Sequence, residues 1–159
     1  MIITMLETPH VVIGAAIASK IPNPFISIPL AIGSHFLLEQ IPHWNPHLNT
    51  ELKKFGKVSK TSNIIITADV LLSLTLGGLI AFQKYPDITW VVVILLASFG
   101  SVLPDLLEAP YFYFKSKSPL LLKWINIQKK LQSDTTLIPG LLTQLITIIL
   151  ALIWVFKPF

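Results

Sequence analysis

Apolar residues in this chain fall into long, nearly unbroken runs separated by short polar breaks. Residues 61–83 and 136–156 are each long enough to cross a hydrocarbon core as a helix, which takes about 20 residues at about 1.5 Å apiece. Residues 88–104 form a third such run, stopped near Pro104. Two shorter runs precede them. The first, 9–20, has Pro9 in its first turn, a position proline tolerates. Its cluster of Gly14, Ala15, Ala16, Ala18 and Ser19 permits close helix contact within a membrane. The break at 21–24 ends it, and 24–41 form a second helix that Pro29 can kink.

The polar stretches predict the rest. Residues 42–60 read as a loop and 84–87 as a turn. In 110–133, Leu121, Leu122, Trp124, Ile125 and Leu131 mix with Lys123, Lys129 and Lys130. That pattern predicts an interfacial amphipathic helix over 119–132, with the aromatic run 111–114 at headgroup level. The expected fold is all-α: one membrane helical bundle over 1–159, with about five membrane helices and one interfacial helix. A four-span arrangement, in which 9–41 form a single re-entrant or broken unit, fits the same pattern.

Lysine placement orients the bundle. Lys53, Lys54, Lys57 and Lys60 lie in one large loop, and Lys115, Lys117, Lys123, Lys129 and Lys130 in the other. Only Lys84 and Lys20 lie in the opposite connections. The excess of positive charge in cytoplasmic loops then predicts that the N-terminus and both large loops are cytoplasmic. The opening segment has no basic residues before its apolar run, so that run is expected to persist in the mature protein.

Composition narrows the function. Of 159 residues, 53% are hydrophobic and 13% charged, against about 25% charged in soluble domains. Without cysteine, disulfide and thiol chemistry are excluded. All 12 basic residues are lysine, which argues against a nucleic-acid partner, because base and phosphate readers rely on arginine forks. The lipid bilayer is the expected partner.

The informative residues are ionisable groups inside apolar runs, each costing several kcal/mol at membrane depth unless paired, hydrated or bound. His35 and Glu39 are four apart, hence on one helical face. His10 opens the first helix, His43 follows Pro42, Asp69 lies about two turns into the third helix, and Asp105 and Glu108 close the fourth. With the topology above, all are expected at the cytoplasmic end. Three histidines with carboxylates form a usual ligand set for Zn, with Mn or Fe as alternatives. The expected metal ligands are His10, His35, Glu39, His43, Asp69 and Asp105, with Glu39 and Glu108 as candidate general bases. Each also has a structural reading: salt-bridged pair, cap or headgroup contact. Asp87 and Asp134 read as helix caps, His47 as a surface residue and Glu7 as solvated.

The segments PHVVIG at 9–14, GSHFLLEQIPHWN at 33–45 and FGSVLPDLLEAP at 99–110 resemble the YdjM-like family of bacterial inner-membrane proteins, described as predicted membrane-bound metal-dependent hydrolases. His10 with Gly14, and Pro104 with Asp105 and Glu108, match that family's pattern in part. Its Pro-Asp-x-Asp-His run is not intact here, because Leu106, Leu107 and Glu108 follow Asp105, and its later His-Arg-Gly-x-Thr-His segment has no counterpart. The resemblance implies a bacterial inner-membrane location and a metal-dependent hydrolase. A phospholipid or other amphiphilic phosphoester is then the expected substrate. A metal-ion or proton transporter, and a non-catalytic protein with a structural polar cluster, are the competing readings.

Overall fold

A computed structural model describes residues 5–157. Within them lie eight helices: α1 (Glu7–Lys20), α2 (Pro24–Leu38), α3 (Leu48–Phe55), α4 (Lys60–Phe82), α5 (Ile88–Leu106), α6 (Ala109–Phe114), α7 (Pro119–Leu131) and α8 (Leu137–Phe156). Among the described residues, three helices, α4, α5 and α8, are long and apolar enough to cross a membrane. The chain is an all-α, multi-span membrane bundle. Phe25, Leu74, Leu79, Leu96, Phe99, Ile146 and Leu150 stay exposed on the outside of α2, α4, α5 and α8, as expected of a surface that faces lipid.

The shortest of the bundle's main helices sits at its centre. Ten of the 14 residues of α1 are buried, and α1 packs against α2, α4, α5 and α8. Small residues make this enclosure possible. A Cβ placed on Gly14 would lie 2.8 Å from the Ala97 carbonyl oxygen and 2.8 Å from Ser101 Oγ of α5. Val12, Ala15 and Ala16 of α1 meet Ile80 of α4, Ile94 and Ala97 of α5, and Ala151 of α8 in one apolar core.

Several boundaries differ from the sequence reading. α2 stops at Leu38, not 41, and Glu39 caps it with an N–H bonded to the His35 carbonyl at 3.1 Å. The next residues leave the helix because Pro42 disfavours helical geometry before it. α5 continues through Pro104 to Leu106. A proline removes one N–H and strains the preceding turn; here it falls in the last turn of the helix, whose Pro104 carbonyl accepts from Trp124 Nε1 at 3.0 Å. The loop 42–60 contains α3, ended by Gly56 with φ of 67°. Asp87 caps α5 through Trp90 N–H at 3.0 Å. Asp134 does not cap α8, which begins after Thr136; it lies in a short strap beside His43 instead.

In that strap, His43 N–H donates to the Ser133 carbonyl, and Thr135 N–H to the His43 carbonyl, both at 3.0 Å. Gln144 of α8 binds the Trp44 carbonyl at 2.7 Å and accepts from Leu6 N–H at 3.2 Å. Gly140 lets this segment lie directly on α8, since a Cβ there would collide with Trp44. The start of α4 is fixed by Glu51 of α3, which accepts from Ser59 N–H, Ser59 Oγ and Ser62 Oγ at 2.7–2.8 Å. Burial alone would raise this carboxyl, but these hydrogen bonds hold it below its ordinary value.

Two outcomes test this packing. Gly14→Val forces a side chain into the α1–α5 contact and should destabilise by about 1–3 kcal/mol, measured by thermal unfolding in detergent. Glu51, with a depressed folded pKa, stabilises above its ordinary value of 4.5, and that stability is lost as pH falls through the folded value. The melting temperature of Glu51→Gln should therefore lie below the unsubstituted protein's at pH 7, with the gap closing in acid.

Candidate metal centre

One end of the bundle gathers ionisable groups from four segments. α1 enters there with Glu7 and His10, α2 leaves with His35 and passes into Glu39 and His43, α4 passes with Asp69, and α5 ends with Asp105 and then Glu108. His10, His35, Glu39 and His43 are fully buried, and Glu108 is 1% exposed.

The entry of α1 depends on Asp69. α1 has no capping side chain of its own, since Leu6 occupies the N-cap, and a helix start leaves N–H groups unsatisfied. Asp69 supplies the cap from α4. Its Oδ2 accepts from Glu7 N–H at 2.6 Å, and its Oδ1 from Thr8 N–H at 3.3 Å and Thr8 Oγ1 at 2.5 Å. A carboxylate at this position also meets the positive end of the helix dipole. Both Asp69 oxygens are thus engaged in holding α1, and with it His10, in register.

Each histidine ring is oriented by a hydrogen bond through one nitrogen. His35 Nδ1 bonds to the Ser101 carbonyl at 3.0 Å, and His43 Nδ1 to the Ile41 carbonyl at 2.8 Å. Carbonyls only accept, so Nδ1 carries a proton in both rings, and His35 Nε2 in turn faces the Gln128 amide at 3.3 Å. His10 Nε2 lies 3.2 Å from Glu39 Oε1, which leaves Nδ1 as the lone-pair nitrogen. The same Glu39 oxygen accepts from Met5 N–H at 3.0 Å. Rings locked in this way through a carbonyl or carboxylate match the support that metal-binding histidines receive.

His10, His35 and Asp105 form one group: a ligand atom from each lies within 4.8 Å of the others. The two rings stack with centroids 4.3 Å apart, and His35 Nε2 is 3.6 Å from Asp105 Oδ1. Between these two acceptors sits the amide nitrogen of Gln128, 3.3 Å from His35 Nε2 and 3.2 Å from Asp105 Oδ1. A donor facing two lone pairs takes the place that a small cation would take. Glu39 and His43 lie alongside, with His43 Nε2 3.9 Å from Glu39 Oε2. His35 and Glu39, four apart, both meet His10, one by ring stacking and the other through its carboxylate; beyond it His35 reaches Ser101, Gln128 and Asp105 and Glu39 reaches His43.

Much of this polar surface has no hydrogen-bond partner among the described residues. His10 Nδ1, Glu39 Oε2, His43 Nε2, Asp105 Oδ2 and both Glu108 oxygens are all in this state. A buried unsatisfied polar group costs about 1–3 kcal/mol, more when charged, so several in one place indicate a missing charge partner. The donor set of imidazoles and carboxylates suits Zn and related divalent ions. The residues present therefore fit a divalent cation. Glu108, just beyond the α5 span, is pushed up to about 8, first by burial and then by the charge of Glu39.

Two contributors escaped the sequence reading. Glu7, read as solvated, has its Oε2 buried and lines a cavity with Asp69, Asp105 and Glu108. Gln128 lies on the helix read as interfacial, and its visible signal was spacing: Ile125 and Gln128, three apart, are the two buried residues of α7. His47 is exposed, as expected.

Asp69→Asn should lower stability by about 1.5–3 kcal/mol, the range for hydrogen bonds to a charged group, yet keep the metal stoichiometry of the folded protein. Elemental analysis beside a melting curve separates this from a ligand role, in which a folded Asp69→Asn protein would lose metal. No family model, curated protein or solved structure matches this chain.

Proposed function

We propose that this protein is a metal-dependent hydrolase embedded in a membrane, with its site at the cytoplasmic face and an ester or phosphoester of an amphiphile as substrate. One observation carries the reading: the convergence of His10, His35 and Asp105 ligand atoms within 4.8 Å, with His10 Nδ1 and Asp105 Oδ2 buried and without hydrogen-bond partners among the described residues. The partial likeness to the YdjM-like hydrolases points the same way, as do the lysines of the two large loops for the choice of face. His10, His35 and Asp105 would hold the ion, with Glu39 and His43 positioned to complete or support its ligand set. A divalent ion there, Zn by donor type, supplies Lewis acidity toward a water nucleophile and an ester or phosphoryl oxygen.

The chain's own groups do the rest. Glu39 fixes the tautomer and tilt of His10. Ser101 does the same for His35 from the backbone. Gln128, whose amide bonds both His35 and Asp105, would have to turn aside for these two residues to hold an ion. Both Glu108 carboxylate oxygens are without hydrogen-bond partners among the described residues and the carboxyl is poised near neutrality, which suits it to take a proton from the attacking water and return it to the leaving group.

A transport path would need polar groups along the full bundle. Beyond the site, toward the middle and the other end of the bundle, the buried Ser19, Ser27, Ser73 and Ser98 hydroxyls each donate to a carbonyl three or four residues back. They are consumed locally, which favours a one-ended site over a path.

Elemental analysis of purified protein should find a divalent metal, and His35→Ala with Asp105→Ala should abolish it. Metal at about 100 times its dissociation constant should stabilise the unsubstituted protein by about 2.7 kcal/mol and leave the double variant unmoved. Equal metal in both proteins would reject the centre. Glu108→Gln should retain metal but lose about 10²- to 10⁴-fold in hydrolytic rate across a panel of phosphoesters. The unsubstituted rate should rise with pH up to the Glu108 pKa, at or below about 8 once a cation lies nearby.

A further inference from the structure

Glu7, Val70 and Leu106 each line two cavities at once. The first holds about 140 Å³ and is bordered by Asp69, Asp105 and Glu108 at the histidine end of the bundle. The second holds about 220 Å³ and runs between α4 and α5, walled by Val70, Leu74, Gly78, Leu95, Phe99 and Val102. From Val70 to Gly78 it follows α4 for about 12 Å, at about 1.5 Å per residue. One acid-lined chamber thus adjoins one apolar groove.

The groove follows from the position of α1. Because α1 is wedged between α4 and α5, these two spans are held apart along their outer side. Val11 of α1 forms the floor, so close to α4 that a Cβ on Gly77 would lie 2.8 Å from Val11 Cγ1. The neighbouring Gly78 is different: a Cβ there would meet nothing within 4 Å. The width at that point exists because residue 78 has no side chain. Leu74, Leu95 and Phe99 on the walls are exposed and belong to membrane-crossing helices, so hydrocarbon is the medium that reaches the groove.

We propose that the groove holds one alkyl chain of a membrane amphiphile whose phosphoester head occupies the acid-lined chamber beside the metal centre. The identity of the head rests on the hydrolase reading above; the alkyl chain rests on the groove. The two compartments match the two halves of such a molecule, and their shared residues fix its direction, head toward Glu108 and chain toward Gly78. Carboxylates repel an anionic head, so its seat depends on the cation, whereas the chain's seat does not.

The test measures binding of a non-hydrolysable phosphonate analogue of dipalmitoyl phosphatidic acid to zinc-loaded protein in a phosphorus-free detergent, counted by native mass spectrometry. Gly78→Leu adds a side chain at a groove position where a Cβ meets nothing within 4 Å and replaces a weak helix former, so the fold should be retained. The unsubstituted protein should keep one lipid, and Gly78→Leu should keep it roughly tenfold less well, as expected when two or more methylenes lose their burial. Leu96→Phe, exposed on α5 and outside the groove, should behave as the unsubstituted protein. Zinc content should be equal in all three. Equal retention by Gly78→Leu, or no retained lipid at all, overturns the groove while leaving the metal centre standing. Retention that depends on Gly78 in a protein that binds no zinc sinks the hydrolase reading and keeps the groove.

Discussion

The architecture turns on enclosing a short helix. α1 has ten buried residues and touches four other helices, which requires small side chains along its contacts and a supply of hydrogen bonds at its unprotected start. Gly14 meets the first need at α5. Asp69 meets the second from α4. In a membrane there is little water to satisfy the open end of a helix, so the Asp69 cap is a condition for α1 to lie where it does. Everything at the site end inherits its position from that arrangement. His10 is one turn in from the cap, Glu39 reaches it from the end of α2, and His35 stacks on its ring.

Asp69 also shows how a costly residue can be functional without touching a reacting group. From sequence alone, an aspartate in an apolar run reads as a ligand as readily as a cap. The difference lies in who faces it, and Glu7 and Thr8 are about sixty residues away in the chain. His35 and Glu39 carry the same lesson. Helical spacing predicts their shared face, and Glu39, just past the end of α2 at Leu38, keeps helical geometry and its bond to the His35 carbonyl, so both meet His10; their further partners, His43 for one and Asp105 for the other, are long-range and carry no local signal.

The apolar runs 61–83, 88–104 and 136–156 were legible because length and hydropathy are local properties, and the observed helices differ from them by at most two residues at either end. The gathering of acids and histidines at one end was legible too, because alternating span direction converts sequence position into depth. What sequence could not supply was the pairing. Glu7 gave no signal, since it precedes its apolar run and becomes buried only through α4 and the end of α5. Gln128 was masked by three lysines and exposed leucines on the same short helix, with Leu120 82% exposed. Nothing local distinguishes an amphipathic helix resting on lipid from one that also pushes an amide between His35 and Asp105.

The central place of α1 has a temporal consequence. It is made before every helix that surrounds it, and its polar start is satisfied by a residue of α4, its small face by α5 and its far side by α8. While the chain is still being inserted, α1 has no cap, no close neighbour on its glycine face and no outer wall. The segment that emerges first is therefore the one that can be completed only last. Its packing is closed only when α8 arrives.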